Sequence, residues 1–291
     1  YVMAVARLAP ALGLPVFWAL ASETAVDIVG PAYAGRAISK ISFGVVCATV
    51  FGIPLGTLLG DALGWRVAFA VLALLSLVKA LLLWRYLPHT PRKTGITSLR
   101  GQFRVLRSPL LQGHVLLSVL VFSGMFTAYT YLADLLERLA GFDGERVGWY
   151  LMGFGAVGLI GNSLGGRAVD RHSLLASAGF CALLIVGLVA VVPATRSPAG
   201  LVIALGIWGL AQAALFLVSH VRVIKAAPQA PAFGASLNIA GGNLGIGLGA
   251  MSGGWVIDHL GLPSVGYVAA LLIGLAVLLA LWLTRFRPAA S

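Results

Sequence analysis

Seven stretches of this chain run for twenty residues or more without one Asp, Glu, Lys or Arg: 41–60, 108–133, 147–166, 172–195, 197–221, 226–257 and 259–284. A bilayer core about 30 Å thick is crossed by roughly 20 apolar residues in a helix. Runs of this length therefore dictate a polytopic helical membrane protein. The polar residues left over do not cover a water-facing globule. Only 10% of the chain is charged, against roughly a quarter in a soluble domain. Soluble enzymes, disordered chains and nucleic-acid-binding domains are excluded on that ground. Residues 65–86 add a further span, interrupted by Arg66, Lys79 and Arg85. Residues 8–22 reach span length when their flanks join the same helix. The expected spans are nine: 2–28, 36–60, 65–86, 109–136, 147–168, 173–193, 198–221, 233–257 and 264–284.

The net charge of +11 reports topology. Alternate loops carry Arg36 and Lys40; Arg85, Arg92, Lys93, Arg100, Arg104 and Arg107; Arg167 and Arg171; Arg222 and Lys225; Arg285 and Arg287. The opposite loops carry only Arg66, Arg138, Arg146 and Arg196. Fourteen against four places the basic side in the cytoplasm. The C-terminus is then cytoplasmic and Tyr1 lies outside, in a bacterial-type inner membrane. No nucleic-acid partner is implied. Cys47 and Cys181 sit inside apolar runs, as small core hydrophobes. The histidines are scattered, and no metal site, cofactor motif, P-loop or hydrolase signature is present.

The chain opens inside an apolar helix pattern, as a fragment does, with no signal-peptide pattern. The long basic loop at 89–108 separates three spans (1–88) from six (109–291). Within it Leu99, Phe103 and Leu106 share a helical face with Arg100, Arg104 and Arg107 interleaved. That pattern fits an interfacial helix or a flexible tether. Gly52-Ile53-Pro54-Leu55-Gly56 matches Gly245-Ile246-Gly247-Leu248-Gly249 at an offset of 193, which Gly60 and Gly253 keep. Spans one to three thus repeat as spans seven to nine, the parallel half-repeat of a two-half transporter.

These motifs resemble those of the major facilitator superfamily. Gly52-x-Pro54-x-Gly56 is similar to the antiporter motif of its fifth helix, and Gly64-Trp65-Arg66 to the turn that follows. Gly166-x-x-x-Asp170-Arg171 resembles the loop motif between helices eight and nine, and Arg7 the helix-four arginine. The chain then corresponds to helices four to twelve of a twelve-helix, all-α bundle. Tyr129-Thr130-Tyr131, Asn162 and Asn238 with Asn243 are similar to the drug:proton antiporter branch, which includes sugar-efflux and chloramphenicol-resistance permeases. Met125 stands where that branch often has His.

Gly52, Pro54 and Gly56 form either a gating seam or a structural kink. Gly245 and Gly249 are their counterparts in the second half. Asp170 and Arg171, after Gly166, are expected as a cytoplasmic latch or a solvated charge pair. Gln212, Asn238 and Asn243 are amides in apolar spans and must face the bundle, as solute ligands or as bonds between helices. Tyr129 and Tyr131 cannot share a helical face, so one at most points into a cavity. Glu23 is the protonatable candidate within the membrane. The function implied by the resemblance is proton-coupled efflux of a small organic solute by a monomer. The alternative is a truncated, non-transporting remnant or a regulatory membrane protein.

Overall fold

The computed structural model describes residues 63–87 and 106–286 continuously, with scattered positions between 17 and 60. Most residues of the spans expected at 2–28 and 36–60, and most of the 89–108 loop, lie outside the described residues. Helix α1 is Trp65–Tyr86. The long helices of the second part follow as α2 (Pro109–Tyr129), α3 (Leu132–Arg138), α4 (Gly144–Arg171), α5 (Ser173–Ala194), α6 (Pro198–Ala226), α7 (Pro231–Leu260) and α8 (Val265–Thr284), the last preceded by a 3-10 turn at Leu262–Ser264.

Local chemistry sets the helix starts. Ser108 Oγ accepts from Leu111 N, and Ser197 Oγ from Gly200 N, each followed by a proline at the first helical position. Asp143 Oδ1 accepts from Arg146 N at 2.9 Å to open α4. Gly261 ends α7 at φ +81°, a conformation that L side chains rarely adopt.

Six segments among the described residues are long and apolar enough to cross a membrane: Trp65–Tyr86, Pro109–Arg138, Gly144–Arg171, Ser173–Ala194, Pro198–Ala226 and Leu262–Thr284. Helix α7 falls where an eighth span is expected. It has the length, at 30 residues, but its glycines and two asparagines lower its apolarity. The helices generally overrun the expected spans by a few residues. Residues 109–136, expected as one continuous helix, form two: α2 and α3 are separated by a break at Thr130–Tyr131.

Helices α2, α8, α5 and α6 pack in a ring that α2 and α6 close. Helix α7 lies along α2 and also touches α6, while α4 lies along α6. In α8 the small residues Ala269, Ala276 and Ala280 point inward, and Leu271, Leu275 and Leu278 point outward. This inverts the pattern of a soluble helix. Lipid tails are as apolar as leucine, so close packing of small side chains favours association.

The α7–α2 seam shows this best. Gly245, Gly249 and Gly253 are four apart and face α2. A Cβ on Gly245 would lie 2.6 Å from Val119 O, and one on Gly249 2.5 Å from Ser123 O. One on Gly253 would overlap Thr127 O and the Tyr131 ring. The α2 carbonyls at 119, 123 and 127 thus match the glycine spacing. Gly247, on the other face, has open space. Gly249→Leu is expected to cost about 1–3 kcal/mol or more through overpacking, lowering the melting temperature of purified protein by several degrees. Gly247→Leu should leave it within about a degree.

Candidate functional site

Two groups of side chains stand out inside the second part of the chain. The first is aromatic. The Tyr129 ring stacks on Phe154 (centroids 5.6 Å apart, planes at 26°), and Phe154 meets Trp208 edge-on at 5.6 Å. Phe126 sits edge-on to Tyr129, and Phe216 lies 6.1 Å beyond it and 4.8 Å from Phe122. The row joins α2, α4 and α6. Trp208 Nε1 donates to Gln212 Oε1 at 2.8 Å, one turn along α6. This bond satisfies the buried indole N–H and the amide oxygen locally. Tyr129 and Phe126 are half-buried, and Phe216 is 41% exposed. The row therefore has one open flank, on which a flat or amphipathic solute can stack.

The second group is polar and lies nearer the basic helix ends. Arg222 is fully buried. Its Nη1 donates to His114 O at 2.8 Å and lies 3.1 Å from His114 Nδ1; its Nη2 donates to Ser118 Oγ at 2.9 Å. A guanidinium only donates, so Nδ1 accepts and the imidazole proton sits on Nε2. Ser118 Oγ in turn donates to Asn238 Oδ1 at 2.8 Å. Asn238 Nδ2 lies 3.4 Å from His220 Nδ1. The cluster ties α2, α6 and α7 together. At 1.5 Å per residue, His114 lies about 7 Å and Asn238 about 10 Å inside their helix starts.

Arg222 corrects the sequence reading, which set it in a basic loop after a span ending at 221. Helix α6 continues to Ala226, and acceptors on α2 hold the guanidinium inside. A charge count along one chain is blind to acceptors from another helix. Thirteen basic residues then remain on the basic side, against four, so the asymmetry stands. The sequence signal for burial was present: Arg222 sits between Val221 and Val223 and falls one turn after Val218.

Lys225, three residues on, does face out. Its Nζ donates to Val169 O at 3.0 Å and meets Asp170 Oδ1 at 3.4 Å. Asp170, expected as part of a latch or as a solvated charge, thus contacts α6 through Lys225, while Arg171 is exposed. Gly166 is half-buried, and a Cβ there would meet Leu217 Cδ2 at 3.2 Å.

Gln212 and Asn238 face the bundle as expected. Asn243 is exposed, on the face of α7 away from α2, because α7 turns its smallest residues to α2. The two tyrosines part company. Tyr131 Oη donates to Ala250 O at 2.8 Å and secures α7; Tyr129 joins the aromatic row. Gly245 and Gly249 are buried in a seam. Gly52 and Gly56 are exposed, and a Cβ on either meets nothing within 4 Å. Arg7, Glu23 and Pro54 lie outside the described residues. His114, Ser118, Phe154, Trp208 and Arg222 were missed as site residues from sequence, since each gains its meaning from a contact between helices or one turn away. Among the described residues no His, Cys, Asp and Glu cluster could hold a metal ion.

The sequence profile of the Major Facilitator Superfamily matches this chain over residues 1–232 and again over 141–291. Among solved structures, a variant of the E. coli fucose:proton symporter FucP is similar with a TM-score of 0.66 at 19% identity, covering 92% of this chain and 72% of that one. A second FucP structure, in the outward conformation, gives a TM-score of 0.65 at 19% identity, covering 91% and 71%. At this identity the likeness concerns the fold.

Ser118 is the junction of the polar cluster, accepting from Arg222 and donating to Asn238. Ser118→Ala should cost about 1–3 kcal/mol, the penalty for leaving buried partners unsatisfied. Ser163 is exposed and bonds only to its own helix carbonyl. Ser163→Ala should change stability by less than about 0.5 kcal/mol. Thermal unfolding of the two variants in one detergent compares them directly.

Proposed function

The chain belongs to the Major Facilitator Superfamily and is a multi-pass membrane protein of transporter type, and from that premise we propose that it exports small organic solutes, drugs or sugars, in exchange for protons. The observation that carries the reading is the half-open aromatic row, with the Trp208–Gln212 pair beside it. Such a surface suits a flat or amphipathic solute, which stacks on rings and needs few hydrogen bonds. The Gly52-x-Pro54-x-Gly56 pattern, similar to an antiporter motif, supports the outward direction. Glu23 is the proposed proton carrier. The fucose:proton symporter among the structural neighbours supports proton coupling, and it favours the rival direction of solute uptake with protons.

On this reading residues 1–88 belong to an N-terminal half, 89–108 form a cytoplasmic linker, and 109–291 form the C-terminal half. Nine spans, a cytoplasmic C-terminus, an inner-membrane location and a monomeric state complete the proposal. The solute would bind between the halves, which expose it in alternation. The Asp170–Lys225 pair would brace the cytoplasmic end of the second half. The truncated, non-transporting remnant is the reading that a failed transport assay would favour.

Proteoliposomes with an acidic interior, monitored by a pH-sensitive dye, give the test. Addition of a transported drug or sugar should relax the gradient, and Phe154→Ala should reduce the rate about tenfold by removing the central ring of the row. A panel in which no solute relaxes the gradient overturns proton antiport. Solute accumulation on the side toward which protons flow replaces efflux with symport. Gly56→Leu is expected to fold normally, because its site is open in this structure. If the Gly52–Gly56 face closes elsewhere in the cycle, the same variant slows transport about tenfold, which a state bias of about 1.4 kcal/mol suffices to produce.

A further inference from the structure

We propose that Trp208 sets the amide of Gln212 so that its N–H donors serve the aromatic row, and that this selects flat neutral solutes carrying a hydrogen-bond acceptor, such as an aromatic ketone. The inference rests on the proposed binding of a solute at the row and narrows its chemical class. It does not depend on transport direction or on proton coupling.

The amide has one orientation for a chemical reason. Trp208 Nε1 lies 2.8 Å from Gln212 Oε1. An indole nitrogen only donates, so the atom facing it must accept. Turning the amide over would set N–H against N–H. Trp208 is fully buried and Gln212 is 5% exposed, so the indole is held in place and the amide follows it. Gln212 Nε2, with its two hydrogens, is then directed away from the indole. Among the described residues it makes no hydrogen bond, since the bond from Trp208 is to Oε1. A sealed Nε2 would rank with Arg222 Nε and Ser219 Oγ, which are buried without partners. It does not, so it reaches the small part of Gln212 that stays open.

Placement on α6 sets that opening beside the rings. Residues 208, 212 and 216 follow one another at intervals of one turn and form one stripe, drifting by about 40° per step. From Trp208 the rings run to Phe154 on α4, to Tyr129 and Phe126 on α2, and back to α6 at Phe216. The row thus leaves the stripe one turn before Gln212 and returns to it one turn after. Tyr129 and Phe126 are half-buried and Phe216 is exposed, so ring faces and donor lie along the same partly open arc. The donor is the selective part. Rings stack on any flat partner, whereas a fixed N–H favours a solute oxygen and opposes a solute N–H.

Three flat tricyclic probes of nearly one shape test this: 9-fluorenone presents a carbonyl oxygen, fluorene a methylene and carbazole an N–H. Their dissociation constants from the full chain in one detergent are measured by isothermal titration calorimetry, each corrected for its partition into protein-free micelles. Fluorenone should bind at least about fivefold more tightly than fluorene and about tenfold more tightly than carbazole. Gln212→Met, which nearly keeps the volume and removes the donors, should bring both ratios below about twofold. Trp208→Phe keeps a ring and frees the amide to turn over. Carbazole should then gain and fluorenone lose, with Gln212 unaltered, whereas a packing role for Trp208 alone would weaken all three probes alike. Equal binding of the three probes to the unmodified chain overturns the inference and leaves the row as a binding surface. Binding of none of them overturns the row as a flat-solute site, and the inference falls with it. A preference that persists in Gln212→Met overturns the donor, and one that persists in Trp208→Phe overturns the orientation. If Gln212→Met does not fold, Trp208→Phe decides alone.

Discussion

The closeness of α7 to α2 is the constraint on which the second part of the chain depends. Within a bilayer no hydrophobic force distinguishes one helix neighbour from lipid, so contact has to come from shape and from polar bonds. Glycines at 245, 249 and 253 remove the side chains that would hold the backbones apart, and the carbonyls of Val119, Ser123 and Thr127 fill the space. The polar bonds between the two helices follow from that approach. Ser118 reaches Asn238, Thr127 shares a hydrogen bond with Ser252, and Tyr131 reaches Ala250 O. A side chain as small as alanine at Gly249 would oppose the last two by forcing the helices apart.

The same rule places the functional surfaces. Alanines and glycines take the closest helix contacts, and the bulkiest aromatics inside the molecule each lie opposite one of them. Trp208 is packed against Gly187, where a Cβ would lie 2.8 Å from its backbone nitrogen; the missing side chain on α5 lets the α6 backbone approach at the residue that carries the indole. Phe154 backs onto Gly209 in the same way. Two glycines on neighbouring helices thus set the centre of the aromatic row, and they leave Phe126, Tyr129 and Phe216 toward its open side.

Much of this architecture is legible from charge-free runs alone. Residues 65–86 form the helix expected of them, and the later runs form the helices expected within a few residues. Motif residues were harder to weigh. Gly245 and Gly52 look equivalent as text, yet one is buried against a carbonyl and the other lies in open space, since a glycine's role depends on what faces it. Asn238 and Asn243 were indistinguishable as amides in an apolar run. They differ by five residues, which is a rotation of about 140° on a helix, and only the position of α2 says which is interior. Arg222 was hidden because positive residues near a span end are read as topology signals, and its acceptors lie more than a hundred residues away. Sequence periodicity reports the faces of one helix; it does not report which helix each face meets.

The contacts also bear on what can move. Helix α4 is joined to α6 by close glycine packing at Gly158, Gly161 and Gly165 and by the Lys225 bonds to Val169 O and Asp170. Helix α7 is joined to α2 by the glycine seam and to α6 through Asn238 and His220. Arg222 holds α6 to α2. Helices α4 and α7 are therefore each fixed to the α2–α6 pair, α4 through α6 and α7 through both. Sliding α4 or α7 alone would break buried hydrogen bonds or force backbones apart, and interfaces of this density switch between discrete states instead of deforming smoothly. A conformational change that spares these bonds must move residues 109–286 largely as one body. The line of α2 itself breaks at Thr130–Tyr131, a break that the Tyr131 bond to Ala250 O holds in place. There Thr130 Oγ1 bonds back to Phe126 O at 2.6 Å, and α3 leaves the line of α2 directly beside Tyr129.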